Sequence, residues 1–303
     1  MSLNSVNTNI GAYIAQSSLN ITNTMLQASQ KRISTGLRVA DATDDGGAYA
    51  VAQRVRSDVG ALTSVNEQLG NAKGLVGTSV NALGKISDSI NTAKGLLVKI
   101  ADNSIAQDQR DQDVASYKSL VTQVANYTDN STYHGQTLLG KVAGGATAGT
   151  GRTVVNSEIG STNVIAAADV SGLANTLAGL IGSTFSRTAA GVDNFTAITA
   201  GADQTAAALA LTATTGASAF TTALKGVADK LNQSGANANL LDSMISFNSS
   251  KMDSLNGGMG ALIDTDLSRE SARLQSLQIK QQLGTQALSL PNQAPQSLLS
   301  LFR

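Results

Sequence analysis

The chain is 303 residues long and carries 21 basic against 21 acidic side chains, no cysteine, no tryptophan and only 3% aromatic residues. That neutral balance supplies no long-range attraction to nucleic acid or anionic lipid, and the missing cysteine excludes disulfides, thiolate nucleophiles and cysteine-based metal sites. With so few large rigid hydrophobes a thick globular core is hard to assemble, so long helices packed through narrow seams suit the composition better.

The first basic residue is Lys31, and residues 1–16 lack both the basic start and the long apolar run of a secretory signal, so no cleavable signal is expected. No stretch approaches the roughly 20 apolar residues needed to span a bilayer, so membrane insertion is not expected either. Leu19, Leu26 and Ile33 form a heptad line beside Ile14 and Ile21, which predicts an amphipathic helix.

Between residues 44 and 102 the pattern is more regular. Val55, Leu62, Leu69, Val76, Leu83, Ile90 and Leu97 recur every seven residues. Val51, Asp58, Val65, Ala72, Ser79, Ile86, Ala93 and Ile100 alternate with them, completing a coiled-coil seam with two polar interruptions. More than 50 residues of helix make a rod of roughly 80 Å at 1.5 Å per residue. Such a helix outruns the core of a single domain and needs long partners. Asp44 and Asp45, ahead of Gly46-Gly47, could bind a cation, but they read better as helix N-terminal capping and dipole partners.

One partner follows at residues 107–130, where Val114, Tyr117, Leu120, Val121 and Val124 mark a second amphipathic helix after the polar turn Asp102-Asn103-Ser104. Residues 144–216 change character to small and glycine-rich, with strand-like pieces at 152–159 and 162–166. Helical stretches at 173–181 and 205–211 are left undecided by periodicity. The distant partner begins after this insert: Leu231, Ala238, Ile245, Met252 and Met259 repeat every seven residues, with Leu241, Leu255 and Leu262 on the adjoining line. The two ends of the chain are thus expected to pack together. Leu267, Leu274, Leu277 and Leu288 form a last amphipathic helix. It and the first helix would each expose an apolar stripe in isolation, so disorder until assembly is expected of both.

Catalytic readings find little support. His134 has no second histidine or cysteine with which to hold zinc, and it reads as a turn residue. Gly144-Gly145 lacks the Lys-Ser or Lys-Thr of a phosphate-binding loop and reads as linker. Asp169, Asp193, Asp203, Glu158 and Arg187 are scattered through the insert without motif spacing. No enzyme and no cofactor is expected.

Specific motifs stand at both ends. Arg32-Ile33-Ser34-Thr35-Gly36-Leu37-Arg38, then Asp44-Asp45 and Ala50-Val51-Ala52-Gln53-Arg54, resemble the N-terminal hallmark of bacterial flagellins, as do Asn7-Thr8-Asn9 and Leu19-Asn20. The C-terminal hallmark is similar too: Asp264, Asp266, Glu270, Gln278-Ile279, Gln281-Gln282, Gly284-Thr285, Leu288, Asn292-Gln293, Pro295-Gln296 and Leu299-Ser300-Leu301. The resemblance covers roughly residues 1–140 and 225–303.

The resemblance implies a mainly α fold: a long coiled-coil rod formed by the N- and C-terminal regions, with a β-hairpin and a small inserted α+β outer domain. Residues 1–42 and 263–303 would form the inner core of a filament, 43–143 and 220–262 the rod, and 144–219 a variable solvent-facing insert. The assembly interface would be Ile14, Leu19, Ile21, Leu26, Arg32, Leu267, Leu274, Leu277, Leu288 and Leu299. The rod seam would run from Val55 to Leu97 on one side and through Leu231, Ile245 and Met252 on the other. Tyr133, Gly135 and Leu138, in a segment similar to the family's aromatic-x-Gly turn, would contribute to a switching hairpin; a plain structural turn is the simpler reading.

The implied function is that of a self-polymerising subunit of the extracellular flagellar filament, exported without a cleavable signal. Its implied partners are copies of itself, hook–filament junction and filament cap proteins, and an export chaperone. The alternatives are a junction protein of the same architecture and a surface adhesin that binds glycans through the insert. One departure stands out: Thr92 and Gly95 occupy places where many flagellins present Arg and Glu to an animal Toll-like receptor, which implies weak activation of that receptor.

Overall fold

The computed structural model describes residues 9–199, 201–212 and 218–301, apart from the side chains of 290 and 292–301. Its helices are α1 (Ile10–Thr35), α2 (Gly46–Ala101), α3 (Gln107–Asn130), α4 (Leu173–Gly179), α5 (Ala202–Leu211), α6 (Ala219–Ile263) and α7 (Leu267–Leu301). Four short strands, β1 (Arg152–Val155), β2 (Thr162–Ile165), β3 (Phe185–Arg187) and β4 (Asp193–Phe195), pair as two antiparallel ribbons, β1 with β2 and β3 with β4. The chain divides into two compact units. One is drawn from the two ends, through Val59 and from Met252, and the other is Gly60–Lys251.

Capping sets the helix limits in the first unit. The side chain of Asn9 accepts from the Ala12 amide at 3.1 Å and starts α1. Gly36, at φ 72°, ends it by donating its amide to the Arg32 carbonyl at 2.9 Å, a left-handed position that glycine takes without steric cost. Asp45 Oδ1 accepts from the amides of Gly47 and Ala48, each at 3.0 Å, and starts α2. Asp44 does something else: it pairs with Lys31 at 2.9 Å. Val39, Ala52 and Ile263 form a small buried core where the α1–α2 and α6–α7 connections meet.

The second unit holds the main core. Leu83, Ile86, Ile90, Ala93, Leu97 and Ile100 of α2 pack with Val114, Tyr117, Val121 and Val124 of α3 and with Phe220 and Val227 of α6. α2 carries several interior glycines, each costing up to about 1 kcal/mol of helix propensity, so its stability comes from this seam. Leu173, Leu177, Ile181, Phe185 and Ala207 belong to the same core. The insert therefore shares its apolar interior with the helices around it. Tyr117 Oη donates to the Leu177 carbonyl at 2.9 Å, fastening α4 to α3, and burial pushes its phenol pKa up. Arg187, buried, reaches Asp193 at 2.5 Å and Asp129 at 3.0 Å, so β3, β4 and α3 are tied through one guanidinium. The Arg187 guanidinium holds the Asp193 carboxyl below the usual carboxylate range.

Candidate assembly interface

In the first unit α1 and α7 run antiparallel along one another. Asn9 Nδ2 donates to the Pro291 carbonyl at 2.7 Å, Gln281 Nε2 to Asn23 Oδ1 at 2.9 Å and Ser29 Oγ to the Glu270 carbonyl at 3.5 Å. Arg32 Nη1 lies 3.9 Å from Glu270 Oε1, an ion pair too long for a hydrogen bond. Along this pairing, a Cβ at Gly284 would stand 3.1 Å from Leu19 Cδ1, so this glycine makes room for the leucine.

The apolar residues of α1 are split between two faces. Leu19, Leu26 and Ile33 are half-buried on the side that carries the contacts to α7, beside buried Ser29. Ile14 and Ile21 instead join Ile10 and Met25 in a stripe at spacings of four and seven residues, and they are 63% and 54% exposed. α7 divides likewise: Leu277 is buried, Leu274 and Leu288 are half-buried, and Leu267, Ile279 and Leu283 are exposed. The side chain of Leu299 and those of the 292–296 motif lie outside the described residues.

A backbone clamp joins the two connections of this unit. Arg38 and Val39 donate their amides to the Ile263 carbonyl at 2.6 and 3.2 Å, Thr265 donates to Gly36, and Arg38 Nη2 reaches the Leu262 carbonyl at 2.5 Å. Beside it Lys31 Nζ contacts Asp41 at 2.6 Å and Asp44 at 2.9 Å. These hydrogen bonds raise the lysine pKa and hold both carboxyls below their usual range, Asp41 most strongly. The sequence motif 32–38 and Asp44-Asp45 thus occupy the hinge between α1 and α2.

Within the second unit, Leu62, Leu69, Val76, Leu83, Ile90 and Leu97 are fully buried; Val55, in the first, is half-buried. On α6 the deepest line is Phe220, Val227, Ser234, Leu241 and Asn248. Leu231 and Ile245 are half-buried at its flank, as is Met252 in the first unit. Polar Ser234 and Asn248 interrupt that line, which is why hydrophobic periodicity alone points to the neighbouring one.

Tyr133 and Gln136 exchange backbone hydrogen bonds at 2.9 and 3.0 Å across His134 and Gly135, at φ 49° and 73°. Two positive φ values in succession make this a tight primed turn, with glycine at its second corner. Leu138 is buried against α2 and α6, in a cluster to which Tyr133 is packed. A Cβ at Gly74 of α2 would stand 2.7 Å from Tyr133 Cζ, so the ring rests on a bare patch of helix. Sequence reasoning missed this glycine, along with the paired roles of Asn9, Asn23 and Gln281. The available signal was a polar or side-chain-free position inside an otherwise apolar face.

Among the described residues no three acidic, histidine or cysteine side chains group closely enough to hold a metal ion. None of the described helices is long and apolar enough to cross a membrane. Residues 6–143 match the family described as the bacterial flagellin N-terminal helical region, and residues 217–302 match the bacterial flagellin C-terminal helical region. The chain is 35% identical over 303 residues to Flagellin FljK of Caulobacter vibrioides and 33% to Flagellin FljM of the same bacterium, in each case over 100% of both chains. It is 35% identical over 300 residues to a flagellin of Brucella melitensis, covering 99% of each.

Proposed function

This chain belongs to the bacterial flagellin family, and from that premise we propose how its ends build the polymer. It is a structural subunit, not an enzyme, and it self-polymerises into the extracellular flagellar filament used for motility. The full-length relatives are flagellins, which does not favour a junction protein or a dedicated adhesin.

In the proposed arrangement, residues 1–42 and 263–303 form the inner filament core, 43–143 and 220–262 the rod, and 144–219 the variable part. Leu19, Leu26, Leu274, Leu277 and Leu288 hold α1 and α7 together within a subunit, helped by Arg32. Ile14, Ile21 and Leu267 meet neighbouring subunits, and Leu299 belongs with them. The Val55–Leu97 line with Leu231, Ile245 and Met252 stiffens the rod, and the Tyr133–Gly135–Leu138 turn biases its conformation. One observation carries this reading: a stripe of four large apolar residues on α1 remains exposed after α7 has taken its share of the helix. Hook–filament junction proteins, the filament cap and an export chaperone complete the proposed partners.

Electron microscopy after salt-induced polymerisation tests this, comparing the full chain with one lacking residues 1–40 and 264–303. Filaments from the first and none from the second are expected. Discrete particles from both would end the terminal-helix account.

A further inference from the structure

A cavity of about 350 Å³ opens between one face of α3 and the segment entering α5, all within the second unit. Gln107, Asp111 and Lys118 line it from α3, and Ile198, Thr199 and Asp203 line it from the other side. Asp203, in the first turn of α5, is only 3% exposed, and its Oδ1 has no hydrogen-bond partner among the described residues. The positive end of a helix favours a carboxylate there, but it leaves a desolvated acceptor unmet. Lys118 forms no ion pair among the described residues; its ammonium stands 5.5 Å from the centroid of the Phe195 ring. Asp111, at the rim, accepts from Gln107 Nε2 at 2.8 Å. Opposite charges therefore line one cavity without meeting.

We propose that this cavity binds a small zwitterionic molecule of the free α-amino acid class, its ammonium group on Asp203 and its carboxylate on Lys118. A simple cation would meet the repulsion of Lys118, and a simple anion that of Asp203 and Asp111. A water molecule could satisfy Asp203 Oδ1 and still leave the ammonium unpaired. Only a ligand carrying both charges complements the lining, and the volume falls at the small end of ligand pockets. This assignment is independent of filament formation and concerns the soluble subunit.

The test titrates the full-length soluble protein at pH 7 with serine, methylammonium or acetate, following backbone amide NMR shifts. Saturable shifts with serine are expected in the first turn of α5 and around Lys118, with a Kd on the order of 1 mM. Methylammonium and acetate should bind at least about tenfold more weakly, because each meets one charge only. Asp203→Asn and Lys118→Met should lose serine binding to a similar degree, while circular dichroism and thermal melting confirm that both are folded. A cavity that holds only water would give no saturable shift with serine, and that result overturns the proposal. So would serine binding undiminished in Asp203→Asn, or methylammonium binding as tight as serine. The two half-ligand comparisons use the unmodified protein and decide the matter even if a variant fails to fold.

Discussion

Replacing Ile21 with alanine should cripple assembly while leaving the single subunit intact. Ile21 is 54% exposed, so about half of its burial free energy remains to be gained when a neighbouring subunit covers it. Fully burying such a side chain is worth about 1.5–3 kcal/mol, which leaves about 1–1.5 kcal/mol for assembly. An uncollapsed cavity in the polymer adds to the loss, bringing it to about 1–2 kcal/mol per subunit. At about 1.4 kcal/mol per factor of ten, the critical concentration should rise about 5- to 30-fold. The folded monomer should lose no more than about 1 kcal/mol, because the loss of the half of Ile21 already covered within the subunit is partly offset by alanine's better helix propensity. Leu277→Ala is the contrasting variant. Its side chain is 5% exposed and packs inside the subunit, so it should destabilise the pairing of α1 and α7 by about 2–5 kcal/mol. Sedimentation of seeded polymer across a concentration series gives the critical concentration, and circular dichroism melts give monomer stability. An Ile21→Ala protein that polymerises at the wild-type concentration would refute the reasoning, as would one whose monomer melts well below wild type.

Gly70→Ala, where nothing lies within 4 Å of the added Cβ, should stabilise against urea by about 0.5–1 kcal/mol, whereas Gly74→Ala should show no gain or a loss of about 1–2 kcal/mol. Adding Tyr133→Ala to Gly74→Ala should restore the helix-propensity gain; additive effects would show that ring and glycine do not meet. Asp193 is depressed by Arg187 in the folded state, so its stabilisation is complete above the unfolded aspartate value of about 3.9 and is lost as pH falls through the lower folded value. Thermal melts between about pH 6 and pH 2 should therefore show a shallower acid limb for Asp193→Asn than for wild type. Deleting residues 144–219 should lower stability, because it strips Leu177, Ile181 and Phe185 from the core of α2, α3 and α6; a deletion protein that melts like wild type would contradict that packing. Thr92 and Gly95 are both exposed on α2, and purified monomer should activate the animal Toll-like receptor weakly, with robust reporter signalling at low concentration as the refuting result.

Long helices with strong apolar repeats were legible because their signal accumulates over many turns. The 107–130 reading coincides with α3, and the 44–102 pattern differs from α2 by at most two residues at either end. The C-terminal seam was less so, since the deepest positions on α6 include Ser234 and Asn248, which no hydrophobic count selects. In the insert, β1 and β2 surfaced as strand-like runs, but β3 and β4 are three residues each, too short for alternation to register. The polar ties between α1 and α7 were silent, because a glutamine and an asparagine 258 positions apart carry no mark of pairing until both helices are in place.

What the sequence by itself determined is the class of molecule: heptad spacing makes rods, a neutral cysteine-free composition removes most chemistry, and the two terminal motifs carry the family. Only the tertiary structure decided which apolar residues are spent inside the subunit and which remain for its neighbours. Leu19 and Ile21 look equally hydrophobic in the chain. Two residues along a helix are about 200° apart around its axis, so when α7 covers one the other is left facing outward. The same holds for the insert, whose small residues read as an appendage in sequence. Its leucines and Phe185 became core because α2, α3 and α6 left an apolar surface that only those side chains were in place to cover.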